Sequence, residues 1–71
     1  MKLYVWTEVL YDYTAGMIVV LAPDLETAME LGRAEGIDSI PRDMGAVAPE
    51  VTELPGCDPL KPRLWMVHGG G

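Results

Sequence analysis

The chain has 71 residues, eleven of them acidic and five basic, so its formal net charge is −6 at pH 7. A single cysteine excludes an internal disulfide, and one cysteine plus one histidine are too few ligands for a structural zinc site, so we expect neither metal nor other cofactor. A negative surface repels phosphate backbones, which disfavours direct binding to nucleic acid. The negative charge either favours a basic protein partner or only keeps a small protein soluble.

The length allows one domain over residues 1–71, for which we expect an ordered core at 2–37 and 50–68 and a flexible tail at 69–71. An apolar fraction of 49% is high for so short a chain, so part of it is expected to pack against another copy, as a homodimer or higher oligomer. The sequence shows no signal-peptide pattern and no apolar run of about 18 residues, so we expect a cytoplasmic protein that does not bind membranes.

The first elements in the chain are predicted to form a β-hairpin. "KLYVWTEVL" (2–10) alternates like a strand and is apolar on both faces, which favours a central strand or one covered on two sides. "YDYTAG" (11–16) has turn chemistry, and "MIVVLA" (17–22) reads as the returning strand. Trp6 and Trp65 are expected to complete a core that contains no Phe.

The clearest helix lies in "PDLETAMELGRAEGID". Asp24 is a suitable N-cap, Glu26 complements the helix dipole in the first turn, and Gly36 is placed as the glycine that ends the helix. Gly32 lies within the apolar stripe, which predicts a close approach of helix and sheet. Glu26 and Glu30 fall on the solvent side.

The second half of the chain is less regular. "DSIPRDMGAVAP" is expected to be irregular, since Pro41, Gly45 and Pro49 prevent a long element. "EVTEL" (50–54) and "RLWMVH" (63–68) are predicted strands on either side of a Pro-rich loop. The predicted order is β-β-α-β-β, an α+β domain with a roughly four-stranded sheet and one amphipathic helix packed on a face.

The predicted hairpin tip is the first candidate site. Every aromatic residue is Tyr or Trp, the types that dominate binding hot spots. Tyr11, Asp12 and Tyr13 at an exposed tip would form an acidic and aromatic patch suited to an Arg-rich partner, assisted by Glu26 and Glu30 of the helix. The alternative is that Tyr13 completes the small core.

The sequence gives no support for an enzyme. Glu26 and Glu30 lie on a solvated helix face, which is an unsuitable place for acid–base chemistry. Cys57 falls in the Pro-rich loop and His68 near the end of the chain, with no third group to orient the histidine. No phosphate-binding glycine loop or dinucleotide motif occurs, so a non-enzymatic binding module is expected.

The C-terminal "WMVHGGG" raises a different possibility. Together with the β-β-α-β-β order, it resembles the ubiquitin-like sulfur-carrier proteins, which end in a Gly-Gly carboxylate. The resemblance implies that Gly71 would be the activated residue and Gly70 its neighbour in a narrow enzyme channel. A run of terminal glycines is equally typical of a frayed end.

The segments "MKLYVWTEVLYDYTAG" and "APDLETAMEL" are similar to small acidic accessory proteins of phages and mobile elements. That resemblance implies an inhibitor or decoy that occludes a host protein without catalysis. A third possibility is an oligomer that sequesters a small ligand at a subunit interface. An anionic ligand would then depend on the few bases of the chain, which are Lys2, Arg33, Arg42, Lys61 and Arg63.

Overall fold

The fold is an antiparallel sheet with helices on one face. The computed structural model describes residues 1–12, 14–55 and 61–67, and the side chains of Tyr11, Asp12 and Thr14 lie outside that description. Within these ranges the strands are β1 (Lys2–Asp12), β2 (Thr14–Ala22), β3 (Glu50–Glu53) and β4 (Arg63–Val67), and the helices are α1 (Leu25–Ala34) and α2 (Ser39–Ala46). The strand order is β3-β1-β2-β4, and every pair is antiparallel. The prediction of an α+β domain with a four-stranded sheet and a helix on one face is confirmed.

The β1–β2 hairpin contains two irregularities in place of the long turn predicted at 11–16. Each adds one residue to β1, and the added residues are Glu8 (φ 58°) and Leu10 (φ 52°), both in the left-handed region. Tyr4 and Trp6 are buried, so simple alternation would bury Glu8 next. The first bulge shifts the alternation by one residue, so Val9 is buried and Glu8 is exposed. The strands therefore continue to Asp12 and from Thr14, through the register Thr7↔Met17, Val9↔Gly16 and Asp12↔Thr14.

Helix α1 begins and ends where its local signals predict. The Oδ1 atom of Asp24 accepts a hydrogen bond from the Thr27 backbone N–H at 2.8 Å, which lowers the pKa of the Asp24 carboxyl. Gly36 has φ 76°, the conformation for which a glycine after a helix is favoured. Gly32 is buried, but the close approach predicted with the sheet is instead with α2: a Cβ at Gly32 would lie 2.5 Å from the Met44 sulfur.

Helix α2 lies in the segment predicted to be irregular, and that prediction was wrong. Pro41 is the third residue of the helix, within the first turn, where its missing N–H breaks no intrahelical bond. Gly45 is in the last turn, and Pro49 follows the end of the helix. One helix of eight residues therefore fits between the proline and glycine signals, and it buries Ile40 and Met44.

Two long-range hydrogen bonds attach α2 to β1. The indole Nε1–H of Trp6 donates to the Met44 carbonyl at 2.9 Å, and the Leu10 backbone N–H donates to Oδ2 of Asp43 at 2.8 Å. The first bond satisfies a carbonyl in the last turn of α2, and the second satisfies a donor at the second bulge of β1. The second helix therefore fixes the irregular part of the hairpin.

The core lies between the sheet and the two helices. Trp6 is fully buried there, as predicted, and Tyr4 stacks beside it with ring centroids 6.0 Å apart. Trp65 does not join this core; it is 46% exposed on the opposite face of the sheet. β1 is central in the sheet, and the described helices cover one of its faces. The buried cluster comprises Tyr4, Trp6, Val9, Leu10, Ile18, Val20, Ala22, Ala28, Ile40 and Met44.

Candidate functional site

The predicted acidic and aromatic surface combines the hairpin tip with acids of helix α1, and of these residues only the helical acids are described with their side chains. Tyr13 and the side chains of Tyr11 and Asp12 lie outside the described residues, so that part of the hairpin patch stays a prediction. Glu26 and Glu30 are exposed, as predicted. Strand β2 is about 26 Å long from Thr14 to Ala22. Helix α1 begins three residues after Ala22, so Glu26 lies at the end of the hairpin that is opposite Thr14.

The exposed positions of α1 and of its flanking residues form a predominantly acidic surface that also contains Arg33. We call it the acidic helical layer; its acids are Asp24, Glu26, Glu30, Glu35 and Asp38. Two exposed apolar side chains flank these acids, Leu25 at 46% and Ile37 at 41% exposure. Acids beside accessible aliphatic side chains can form ion pairs and apolar contacts with one partner surface.

Acidic and basic side chains are unevenly distributed over the domain. Between Asp24 and Ala46 six acids stand against two bases, Arg33 and Arg42. Arg42 pairs with Asp43 at 3.0 Å. Arg33, the other base of this segment, has no ion pair among the described residues. Lys2 pairs with Glu53 at 3.7 Å, and it lies close enough to Asp24 for its charge to help lower the pKa of that carboxyl. The acidic helical layer is thus more negative than the net charge alone implies.

The face of the sheet opposite the helices is the second candidate surface. Residues paired across antiparallel strands share a face, so the register defines which side chains lie there. We call this surface the open sheet face. It has three rows: Thr52, Leu3, Leu21 and Arg63; Glu50, Val5, Val19 and Trp65; and Thr7, Met17 and Val67.

The open sheet face is apolar over most of its area, with its most exposed apolar side chains on β2 and β4, and it carries opposite charges at its two edges. Met17, Trp65 and Val67 are 41%, 46% and 65% exposed. Glu50 lies on the β3 edge, and Arg63 lies on the β4 edge. Such a patch is the part of a small domain where a second macromolecule gains most from binding.

A concavity lies at the β4 edge of the open sheet face. The Arg63 guanidinium lies 5.3 Å from the centre of the Trp65 ring, within cation–π range. Lys61, Pro62 and Leu21 complete the lining. Of the five bases considered for an anionic ligand, the fold brings Lys61 and Arg63 together beside an aromatic ring.

Several predicted chemical groups lie outside the described residues, among them Cys57, His68, Gly70 and Gly71. In the ranges that the structure does describe, no three or more acidic, Cys or His side chains are grouped so as to hold a metal ion. None of the described helices is long and apolar enough to cross a membrane.

The open sheet face was not anticipated as a site, although its signal was present in the sequence. "MIVVLA" is apolar at almost every position, so both of its faces are apolar while a single helix layer covers one. The strand "RLWMV" alternates Leu64 and Met66 with Arg63, Trp65 and Val67. Assigning Trp65 to the uncovered face required the strand order, which local patterning does not provide.

Comparison with known proteins gives this chain no relative: no protein-family model matches it, and no curated protein and no solved structure does so either.

Proposed function

We propose that the chain is a non-enzymatic binding module whose acidic helical layer engages a basic protein surface. The observation that carries the proposal is the segregation of charge, with six acids against two bases between Asp24 and Ala46. A locally negative surface accelerates encounter with a basic partner and disfavours acidic competitors. An inhibitor or decoy would act this way, by occupying the basic surface of its target.

The composition of the acidic helical layer supports a specific contact. Leu25 and Ile37 are nearly half exposed on either side of Glu26 and Glu30. Acids alone are usually a solvated face, whereas desolvated apolar side chains supply much of the binding free energy at interfaces. The partner is therefore expected to combine Lys or Arg side chains with an apolar groove.

The experiment is quantitative capture from a host lysate with two charge-matched variants. Glu26→Gln/Glu30→Gln neutralises two acids of the helical layer, and Glu8→Gln/Glu53→Gln neutralises two exposed acids elsewhere. Both variants change the net charge by the same amount. A basic protein held by wild type and by the Glu8/Glu53 variant, and lost from the Glu26/Glu30 variant, supports the proposal. Equal losses from both variants would contradict it.

The hairpin prediction and the carrier alternative are tested in the same experiment. Tyr11→Ala/Tyr13→Ala should weaken capture if the hairpin contributes to the partner surface. A chain that ends at Gly69 should capture as wild type does, because the proposed binding is non-covalent. A covalent adduct that requires Gly70 and Gly71 would instead identify a carrier protein.

A second candidate function is sequestration of a small anionic ligand by an oligomer. The concavity lined by Lys61, Arg63 and Trp65 favours it, because two cations and an aromatic ring suit a flat anion. NMR titration with ATP, chosen as a probe with both features, should shift the Trp65 indole signal and leave that of Trp6. Lys61→Ala should weaken the effect, and an unchanged Trp65 signal would exclude this site.

A further inference from the structure

We propose that the open sheet face is a homodimer interface, formed with a two-fold axis parallel to the strands. Seven of its eleven side chains are apolar, and Trp65 and Val67 are each about half exposed or more. A second copy presents the same apolar area, and isologous pairing of one patch with itself is the commonest route to a dimer. The dimer goes beyond the proposed function and does not depend on the identity of its basic partner.

The charges at the two edges select the axis. Packed sheets keep their strands nearly aligned, which allows a two-fold axis either along the strands or across them. An axis across the strands places β3 over the partner's β3 and β4 over the partner's β4, so like charges face each other. An axis along the strands places β3 over the partner's β4.

A two-fold axis along the strands places each row of the open sheet face over the same row of the partner and pairs complementary side chains. Glu50 shares a row with Val5, Val19 and Trp65, so it meets the partner's Trp65 while Val5 meets the partner's Val19. The Arg63 guanidinium lies over the Trp65 ring, which brings its positive charge to that level. Each dimer therefore contains two equivalent contacts between Glu50 and the partner's Arg63.

The size of the face sets the expected affinity. Four strands about 4.8 Å apart and five residues of about 3.3 Å each give a flat area on the order of 300 Å² per copy. Side chains roughen that surface, so two copies bury between about 600 and 1,000 Å², at the lower limit for a specific interface. We infer a reversible dimer with a micromolar dissociation constant, in which both acidic helical layers face outward.

The test is sedimentation velocity over a concentration series, with full-length variants. Met17→Lys is expected to raise the dissociation constant by at least about tenfold, because Met17 lies on the inner strand β2 and its replacement buries a charge between the two sheets. Ile37→Lys introduces the same charge at a similarly exposed apolar position on the helix side, and it should change the constant by less than about twofold. The Trp6 indole N–H signal, which depends on the bond to Met44, verifies that each variant is folded.

A charge exchange tests the axis. Glu50→Arg and Arg63→Glu should each weaken the dimer by about tenfold, and the double variant should restore it to within about threefold. Repulsion between the net negative charges of the two copies would not weaken the Glu50→Arg dimer. This variant is less negative than wild type, so repulsion alone would strengthen its association. A wild-type monomer throughout the series, a dimer insensitive to Met17→Lys, or weakened single variants without rescue would overturn the proposal.

Discussion

Asp43 is predicted to be the side chain on which the irregular hairpin most depends. Its Oδ2 atom accepts the Leu10 backbone N–H at 2.8 Å, at a residue held in the left-handed region. The Asp43 side chain is 17% exposed, so solvent screens this charged hydrogen bond only in part. Asp43→Ala removes the bond and leaves the Leu10 donor without its partner. We expect a loss of about 2 kcal/mol in the free energy of unfolding.

The size of that loss is large for this domain. A domain of this length has a stability of about 3–5 kcal/mol, so the variant loses roughly half and its melting temperature falls by about 10 °C. Urea denaturation followed by circular dichroism measures the change. Arg42→Ala is the matched control, because it removes the other partner of Asp43, a 72% exposed guanidinium in a surface ion pair. If Asp43→Ala costs no more than Arg42→Ala, the assigned role of the bulge contact is wrong.

The pH dependence of the same variant has a definite sign. The Leu10 N–H, and secondly Arg42, hold the pKa of Asp43 below its usual value of 3.8. A lowered pKa in the folded state means that the stabilisation is complete above the unfolded pKa and is lost as the pH falls through the folded value. The difference in unfolding free energy between wild type and Asp43→Ala should therefore be constant near neutral pH and shrink below about pH 4. A difference that grows with acid would contradict this linkage.

Two further predictions compare matched glycine substitutions. Gly32→Ala should destabilise the fold by about 1 kcal/mol. The added Cβ would displace the buried Met44 side chain, and the free-energy cost of that displacement exceeds the gain in helix propensity from Gly to Ala. Gly45→Ala should stabilise by about 0.5 kcal/mol, since nothing lies within 4 Å of its added Cβ. Denaturant midpoints decide both, and effects of equal sign would refute the packing argument. Glu8→Gly should raise stability by about 0.5 kcal/mol by relieving a positive φ, whereas Thr7→Gly should lower it by about the same amount. Equal destabilisation by these two changes would show that Glu8 is unstrained.

Helix α1 could be predicted closely because its boundaries depend on local chemistry. Asp24 and Gly36 act on backbone groups within a few residues of themselves, so a single sequence carries the signal. The two outer strands were also predicted to within a residue of their observed ends. The α+β arrangement follows from these elements, because one amphipathic helix needs a sheet face to cover.

The bulges and α2 depend on contacts between distant parts of the chain. Glu8 and Leu10 have no intrinsic preference for positive φ, and the Asp43 contact that supports Leu10 joins residues 33 positions apart. Helix α2 had a readable apolar spacing at Ile40, Met44 and Val47, although the proline and glycine signals around it suggested an irregular segment. The sequence therefore predicted the elements better than the surfaces that they create.

NMR mapping with a defined basic probe shows whether the acidic helical layer is the surface that binds a basic partner. Nona-arginine is titrated into isotope-labelled protein at about 20 mM and 200 mM salt, which changes the screening length severalfold. We expect shifts centred on Glu26, Glu30 and Glu35 that weaken strongly at the higher salt. Shifts centred on Glu50 and Glu53, or spread evenly over every acidic residue, would show that the acidic helical layer is not a preferred surface and would refute the proposed function.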